Sequence, residues 1–420
     1  MPNLSSLSVL ALLSLIVRVL AQTGPTPDCP SHLSANHPLW DTLEAVHARL
    51  STCANISALS IRIASAGCAS HPDRWSLPLD PWGRTRYPSA PRSLSLNGYA
   101  FSDTELRYVR PPSLDSWDYY LGWITSGKAW AWLQLMTLLS PEQRAKTNLE
   151  LWVDAMNFSF VEELSIYNFH FNDGKSPELL IKHLLPRVPN LRSLSVDDTH
   201  LKELILAMPR NSLQHLTYLD PRPSQNLDPI LQTHAESLIS LDWWNREGGG
   251  SWNADNSWSP RPRPLLSTAQ LRNLSTAAPN LVSLALDLER KDDDWPWDRL
   301  EALRAGLPRK LENLTLRFEM ASACRRQNPF NIHGENPCSE AGEYAQPLLT
   351  KEHAREMTRF LMGGGNDQEQ KRPRALSRVA FVAGEKDEGK GSIMALPYWL
   401  YGKHADINCT ISEEEAVELG

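Results

Sequence analysis

Apolar residues recur along this chain in one short pattern. An apolar residue is followed by two variable positions, a leucine, one more variable position and a third apolar residue. Nine segments carry it, loosely held, beginning at Ile56, Pro91, Val161, Leu191, Leu213, Leu238, Leu281, Leu311 and Leu376. The last three positions alternate apolar, variable, apolar, which is the period of a strand with one face buried. Stretches with apolar residues at helical spacing precede several of them, at 177–185, 201–208, 271–278 and 300–307. A short break separates helix from strand: Pro189-Asn190, Pro209-Arg210, Pro279-Asn280 and Pro308-Arg309. Proline ends a helix and lets the chain turn, so each unit reads as helix, proline turn, short strand.

From Val161 onward the segments are spaced by 30, 22, 25, 43, 30 and 65 residues. The short spacings fall near the ~20–29 residues of leucine-rich repeats, and the long ones imply insertions. One unit cannot bury its apolar face alone, but stacked units can. The expected fold class is therefore α/β: a leucine-rich-repeat-like solenoid with parallel strands on a concave face, helices outside and irregular caps. The competing architecture is an ordinary α/β domain built of βα repeats. The expected layout is a signal peptide at 1–21, an N-terminal cap with disulfides at 22–90, the solenoid at 91–383 with insertions near 245–264 and 324–374, and a C-terminal cap or tail at 384–420. An amphipathic helix is expected at 38–50 within the N-terminal cap.

The start of the chain sets the expected compartment. Residues 4–17 are uncharged and apolar or small, Arg18 is the first charge, and Val19-Leu20-Ala21 suits signal peptidase, which places cleavage after Ala21. No later stretch is apolar over the ~20 residues a membrane helix needs. The acidic C-terminus lacks the hydrophobic tail of a glycolipid anchor. The expectation is a secreted chain with no membrane association after cleavage. Six cysteines, Cys29, Cys53, Cys68, Cys324, Cys338 and Cys409, then read as disulfide-forming, with Cys324–Cys338 the one pairing singled out. Three lie near each end, so either one bridge joins the ends or each end keeps a spare thiol. Five Asn-x-Ser/Thr sites, at Asn55, Asn157, Asn273, Asn313 and Asn408, are candidate glycosylation sites. Removing Arg18 leaves 41 Lys and Arg against 49 Asp and Glu. That mildly acidic, dispersed balance argues against nucleic acid as a partner.

Two stretches, Pro78-Leu79-Asp80-Pro81-Trp82-Gly83-Arg84 and the run from Lys146 to Met156 (KTNLELWVDAM), resemble a group of secreted leucine-rich-repeat-like proteins of filamentous fungi. These are loosely grouped with the F-box-type repeat proteins of the ribonuclease-inhibitor-like superfamily. The resemblance spans most of the mature chain and implies the solenoid fold, but no established activity. The chain departs from true F-box proteins in opening on a signal peptide, with no F-box before the repeats. A ubiquitin-ligase adaptor role is accordingly disfavoured.

Catalytic motifs are scarce. Residues 384–391 (GEKDEGKG) approach a phosphate-binding loop, but Gly391 stands where Ser or Thr must hold Mg²⁺, and three acidic side chains would repel phosphate. Asp292-Asp293-Asp294 lacks the spacing of a calcium loop. There is no H-E-x-x-H, C-x-x-C or G-x-S-x-G, so no metal, cofactor or nucleophile elbow is expected. Asp197, Asp198, Asp220, Asp242 and Asp287 fall in or just after repeat strands, where two carboxylates could act on a glycosidic bond. The 15 tryptophans carry the stronger signal. Trp243 and Trp244 close one strand, Trp252 and Trp258 follow in a Gly/Pro-rich insertion, and Trp295 and Trp297 come one repeat later. Such residues stack on sugars and anchor interfaces, or else pin a long loop. The expected function is a secreted, non-catalytic interaction module for an unknown protein or polysaccharide. Its candidate ligand residues are Trp243, Trp244, Trp252, Asp242 and Asp287. The alternative is a carbohydrate-active hydrolase using acidic residues of the concave face.

Overall fold

The computed structural model describes residues 29–35, 40–62, 77–78, 84–99, 147–167, 176–197, 201–219, 227–244, 250–252, 258–260, 265–290, 294–322, 324, 338, 342, 344–363, 375–384 and 404–411. Its strands are β1 His32–Ala35, β2 Ala58–Arg62, β3 Ser93–Asn97, β4 Glu163–Tyr167, β5 Ser193–Val196, β6 His215–Leu219, β7 Ser240–Trp244, β8 Gly250–Trp252, β9 Trp258–Pro260, β10 Ser283–Leu288, β11 Asn313–Phe318, β12 Arg378–Ala383 and β13 Ala405–Thr410. The helices are α1 Trp40–Thr52, α2 Asn148–Ala155, a mixed helical segment 176–187 (α3), α4 Lys202–Ala207, α5 Leu227–His234, α6 Thr268–Ala277, α7 Trp297–Gly306 and α8 Lys351–Met362. In α3 one α turn passes into the π-helical residues Leu180–Leu184 and a 3-10 turn at Leu185–Arg187.

Eleven strands form one sheet in chain order, interrupted only by the separate β8–β9 hairpin. Every pair from β1 to β12 is parallel, and β13 closes the series antiparallel to β12. Each of the nine pattern segments is one strand, and consecutive segments are neighbours. The fold is thus α/β, mostly parallel, and consistent with a solenoid-like stack.

Register explains why the stack holds. Leu33, Leu59, Leu94, Leu164, Leu194, Leu216, Leu241, Leu284, Leu314 and Val379 are successive cross-strand partners. A second apolar row runs two residues later, from Ala35 through Ile166 and Trp243 to Phe381. Both rows join one core with helix residues such as Leu204, Ile205, Leu271, Leu303 and Met357. A fully buried leucine contributes about 1.5–3 kcal/mol of transfer free energy. The residues just before the strands bond in a continuous backbone ladder: Glu162 to Arg92, Arg192 to Glu162, Gln214 to Arg192, Ile239 to Gln214, Val282 to Ile239, Glu312 to Val282 and Ser377 to Glu312. The Pro-Asn turns tie neighbours together as well, since Asn190 Nδ2 donates to Ser159 O and Asn280 Nδ2 to Glu236 O.

Local signals explain the helix boundaries. Thr147 and Glu150 form a reciprocal capping box at the start of α2, as Ser267 and Gln270 do for α6. Helix α8 ends on Gly363 at φ +91, a left-handed cap that glycine adopts without strain. Helices α6 and α7 approach so closely that a Cβ on Gly306 would collide with the backbone of Leu271 and Arg272.

Several segments differ from the sequence reading. The sheet begins at His32, well before residue 91, and continues past 383 into β13. The region 245–264 holds an antiparallel hairpin in which Trp252 pairs with Trp258. The region 324–374 ends in α8, which buries Ala354, Met357, Thr358 and Leu361 at helical spacing. It is therefore the ordinary helix of the last unit rather than insertion alone. Cys324–Cys338 is a disulfide, as expected, and Cys29–Cys53 is a second. Neither joins the two ends of the chain. Cys409 carries a free thiol, and Cys68 lies outside the described residues. Two disulfides, together with no helix among the described residues long and apolar enough to cross a membrane, are compatible with an extracellular protein.

Candidate functional site

Strand parity sends the variable positions of every repeat to the face away from the apolar rows. On that face Ser34, Ser60, Ser95, Ser165, Ser195 and Thr217 are cross-strand partners in sequence, one from each of β1 to β6. With strands 4.7–4.9 Å apart, the row extends about 24 Å. Ser34 is exposed and the other five are half-exposed. None of the six hydroxyls bonds to a described residue. Each is a donor and acceptor presented at strand spacing.

The row breaks at Asp242, the partner of Thr217 on β7. Beyond it the row continues as Ala285, Thr315 and Ala380, and charged side chains join the face. Asp242 Oδ1 lies 2.9 Å from Arg317 Nη1 on β11, close but off the N–H axis, so the contact is an ion pair more than a directed hydrogen bond. Both side chains are partly exposed, at 31% and 22%. Asp287 on β10 is the register partner of Arg317 and is 5% exposed. Trp244, half-buried, lies with its ring centroid 5.9 Å from the Arg317 guanidinium carbon. Asp242, Trp244 and Asp287 therefore share the face, and the structure adds Arg317, which the sequence reading did not single out. At the far edge Arg378 donates to Asn408 Oδ1 and Asn408 to Asp406 Oδ1.

The tryptophans separate by parity. Trp243 points the other way from Trp244, is 4% exposed, and packs edge-on against Tyr218 with centroids 4.9 Å apart. It belongs to the second apolar row and is not presented to a ligand. Trp295 is likewise buried, edge-on to Phe318 and stacked by Arg290 at 4.1 Å. Arg290 donates to the carbonyls of Ala345 and Pro347, so this cluster fastens the segment leading into α8. Trp297 packs on Phe360 of α8. The side chains of Trp252 and Trp258 lie outside the described residues, as do Asp198, Asp220, Asp292, Asp293 and residues 385–391. Asp197 follows β5, half-exposed.

Among the described residues no group of His, Cys, Asp and Glu could hold a metal ion. Among the described residues the one buried imidazole, His234, sits at the end of α5, with Nε2 3.2 Å from Ile205 O. Burial pushes its pKa below the ordinary value, and the bond to Ile205 opposes this only in part. It is a core group far in role from the sheet face. No family model, curated protein or solved structure matches the chain.

Proposed function

We propose that this protein is a secreted, non-catalytic interaction module of the leucine-rich-repeat-like type, binding a protein or a polysaccharide on the sheet face away from the helices. The observation that carries the reading is the hydroxyl row of β1 to β6. The core does not need six register-matched hydroxyls without partners among the described residues, whereas a polar ligand laid across the strands could bond to each. The neighbouring Trp244 and Arg317 supply the two side-chain types most enriched at binding hot spots.

The test is affinity capture. The secreted protein is immobilised and exposed to culture medium and solubilised cell-wall material, and bound protein and sugar are identified. A second sample carries Ser95→Lys, Ser165→Lys and Ser195→Lys. Saturable enrichment of one partner, lost in the triple variant while its circular dichroism is unchanged, supports the reading. Equal capture by both samples moves the site elsewhere. Turnover of a bound polysaccharide that stops in Asp242→Asn replaces the module with a hydrolase.

A further inference from the structure

Helices α4, α5 and α6 lie side by side on the outer layer, and the space they leave is an open groove of about 1190 Å³. Its floor is apolar, with Met208 from the end of α4 and Leu231 from α5, both buried. Its rim is polar, with Asp228 and Gln232 of α5 exposed. The volume is on the order of the 300–1,000 Å³ that holds a small organic ligand. Asn273 of α6, exposed, forms part of the wall, so a group attached to its side chain begins at the groove.

Asn273-Leu274-Ser275 is a glycosylation sequon. Leu274 points into the core at 1% exposure, which turns Asn273 outward, and its amide bonds to no described residue. The other sequons differ. Asn55 donates Nδ2 to Cys29 O at 2.7 Å. Asn408 is engaged through both amide atoms. Asn313 is half-buried in the sheet face between Ser283 and Arg378. Asn157 is exposed, with Oδ1 accepting from Ser159, and lines a smaller pocket of about 430 Å³ before β4.

We infer that Asn273 carries an N-linked glycan whose first sugars lie in this groove, so that a covalently attached carbohydrate completes the helical layer. The inference rests on the export reading above. In the transfer, Asn273 Nδ2 bonds to the anomeric carbon of a lipid-linked oligosaccharide, the carbon–oxygen bond to the lipid pyrophosphate breaks, and the amide proton leaves with the pyrophosphate. An N-acetylhexosamine fits the lining by chemistry. Its C–H face lies on Met208 and Leu231, and its hydroxyl and acetamido edges meet Asp228 and Gln232.

The experiment uses the full chain secreted from a eukaryotic host, with glycopeptide mapping and amide hydrogen exchange. Asn273 should be occupied. Removing its sugar, in Asn273→Gln or Ser275→Ala, should raise exchange several-fold across 227–234 and lower Tm by about 1 °C. Ser275→Ala keeps the asparagine, so its agreement with Asn273→Gln assigns the effect to the sugar. Asn157→Gln should leave α5 unchanged. Bare Asn273 beside other occupied sequons overturns the inference, as does an occupied Asn273 whose loss leaves α5 exchange unaltered. A chain retained in the cell with all five sequons bare overturns the export reading, and this inference with it.

Discussion

The outward face of the sheet has two halves built on the same backbone. Across β1 to β6 the central variable position is always Ser or Thr and makes no side-chain bond to a described residue. From β7 onward that row runs Asp242, Ala285, Thr315 and Ala380, and the same face carries Asp287 and Arg317, with Asp242 paired to Arg317. The apolar rows beneath do not change between halves. One core thus underlies both halves, while the aligned hydroxyls of the first half have no partner among the described residues and Asp242 of the second is paired to Arg317. Groups already paired give a ligand little, because binding must first break what they have. Hydroxyls with no partner among the described residues carry no such penalty.

The comparison breaks most visibly if the apolar rows are not common to both halves. Leu194→Ala in the first half and Leu284→Ala in the second, both fully buried, should each cost about 2–5 kcal/mol in urea unfolding. Similar losses at the two sites confirm one continuous core. A large loss at one and a near-neutral result at the other would divide the stack into unequal units.

The charged half is tested next. Arg317→Met removes the cation but keeps much of the aliphatic stem, leaving Asp242 without its ion pair and Asp287 without the positive charge at its register position. About 1 kcal/mol should be lost, the scale of a partly exposed ion pair. Asp242→Asn, at a more exposed position, should cost less. If Arg317→Met is neutral, the charges of this half are not set against one another and remain open to a partner.

Helix α5 joins β6 to β7, the boundary between the halves, and holds the buried His234. Because folding lowers this pKa, the unfolded chain binds the extra proton first. Its contribution is fully present above the ordinary value of 6.5 and is lost as pH falls below it. The slope is at most about 1.4 kcal/mol per pH unit. Urea midpoints from pH 5 to 8 should rise with pH in the wild type and flatten in His234→Leu. A slope that survives the substitution assigns the acid sensitivity elsewhere.

How much of this was legible follows from the range of each signal. The nine strands and their helices were visible because leucine spacing and proline turns are local. β1 escaped because HLSA is too short to show a pattern, and β13 because ADINCT has no leucine and runs antiparallel. Helix α8 was hidden in the 65-residue gap, although Ala354, Met357 and Leu361 are spaced as any core helix. Trp243 illustrates a rule within reach: in Ser240-Leu241-Asp242-Trp243-Trp244, the inward Leu241 commits Trp243 inward and frees Asp242 and Trp244. Arg317 could not be found that way. Its meeting with Asp242 depends on the register of β7, β10 and β11, separated by 75 residues of chain. The serines sat in plain view as variable positions, and only register aligned them.

The smallest stability effect belongs to the hydroxyl row and would sharpen the comparison most. Ser95→Ala, Ser165→Ala and Ser195→Ala remove hydroxyls that bond to no described residue, from side chains that remain small. Each should change unfolding free energy by no more than about 0.5 kcal/mol, the range of surface substitutions away from special features. The triple variant should nevertheless lose ligand capture, because three adjacent donors vanish from the centre of the row. Stability and binding would then respond to opposite faces of the same strands. A triple variant that destabilises by several kcal/mol would show that the hydroxyls are tied into the fold. One that is stable and still binds would shift the ligand toward Trp244 and the charged half.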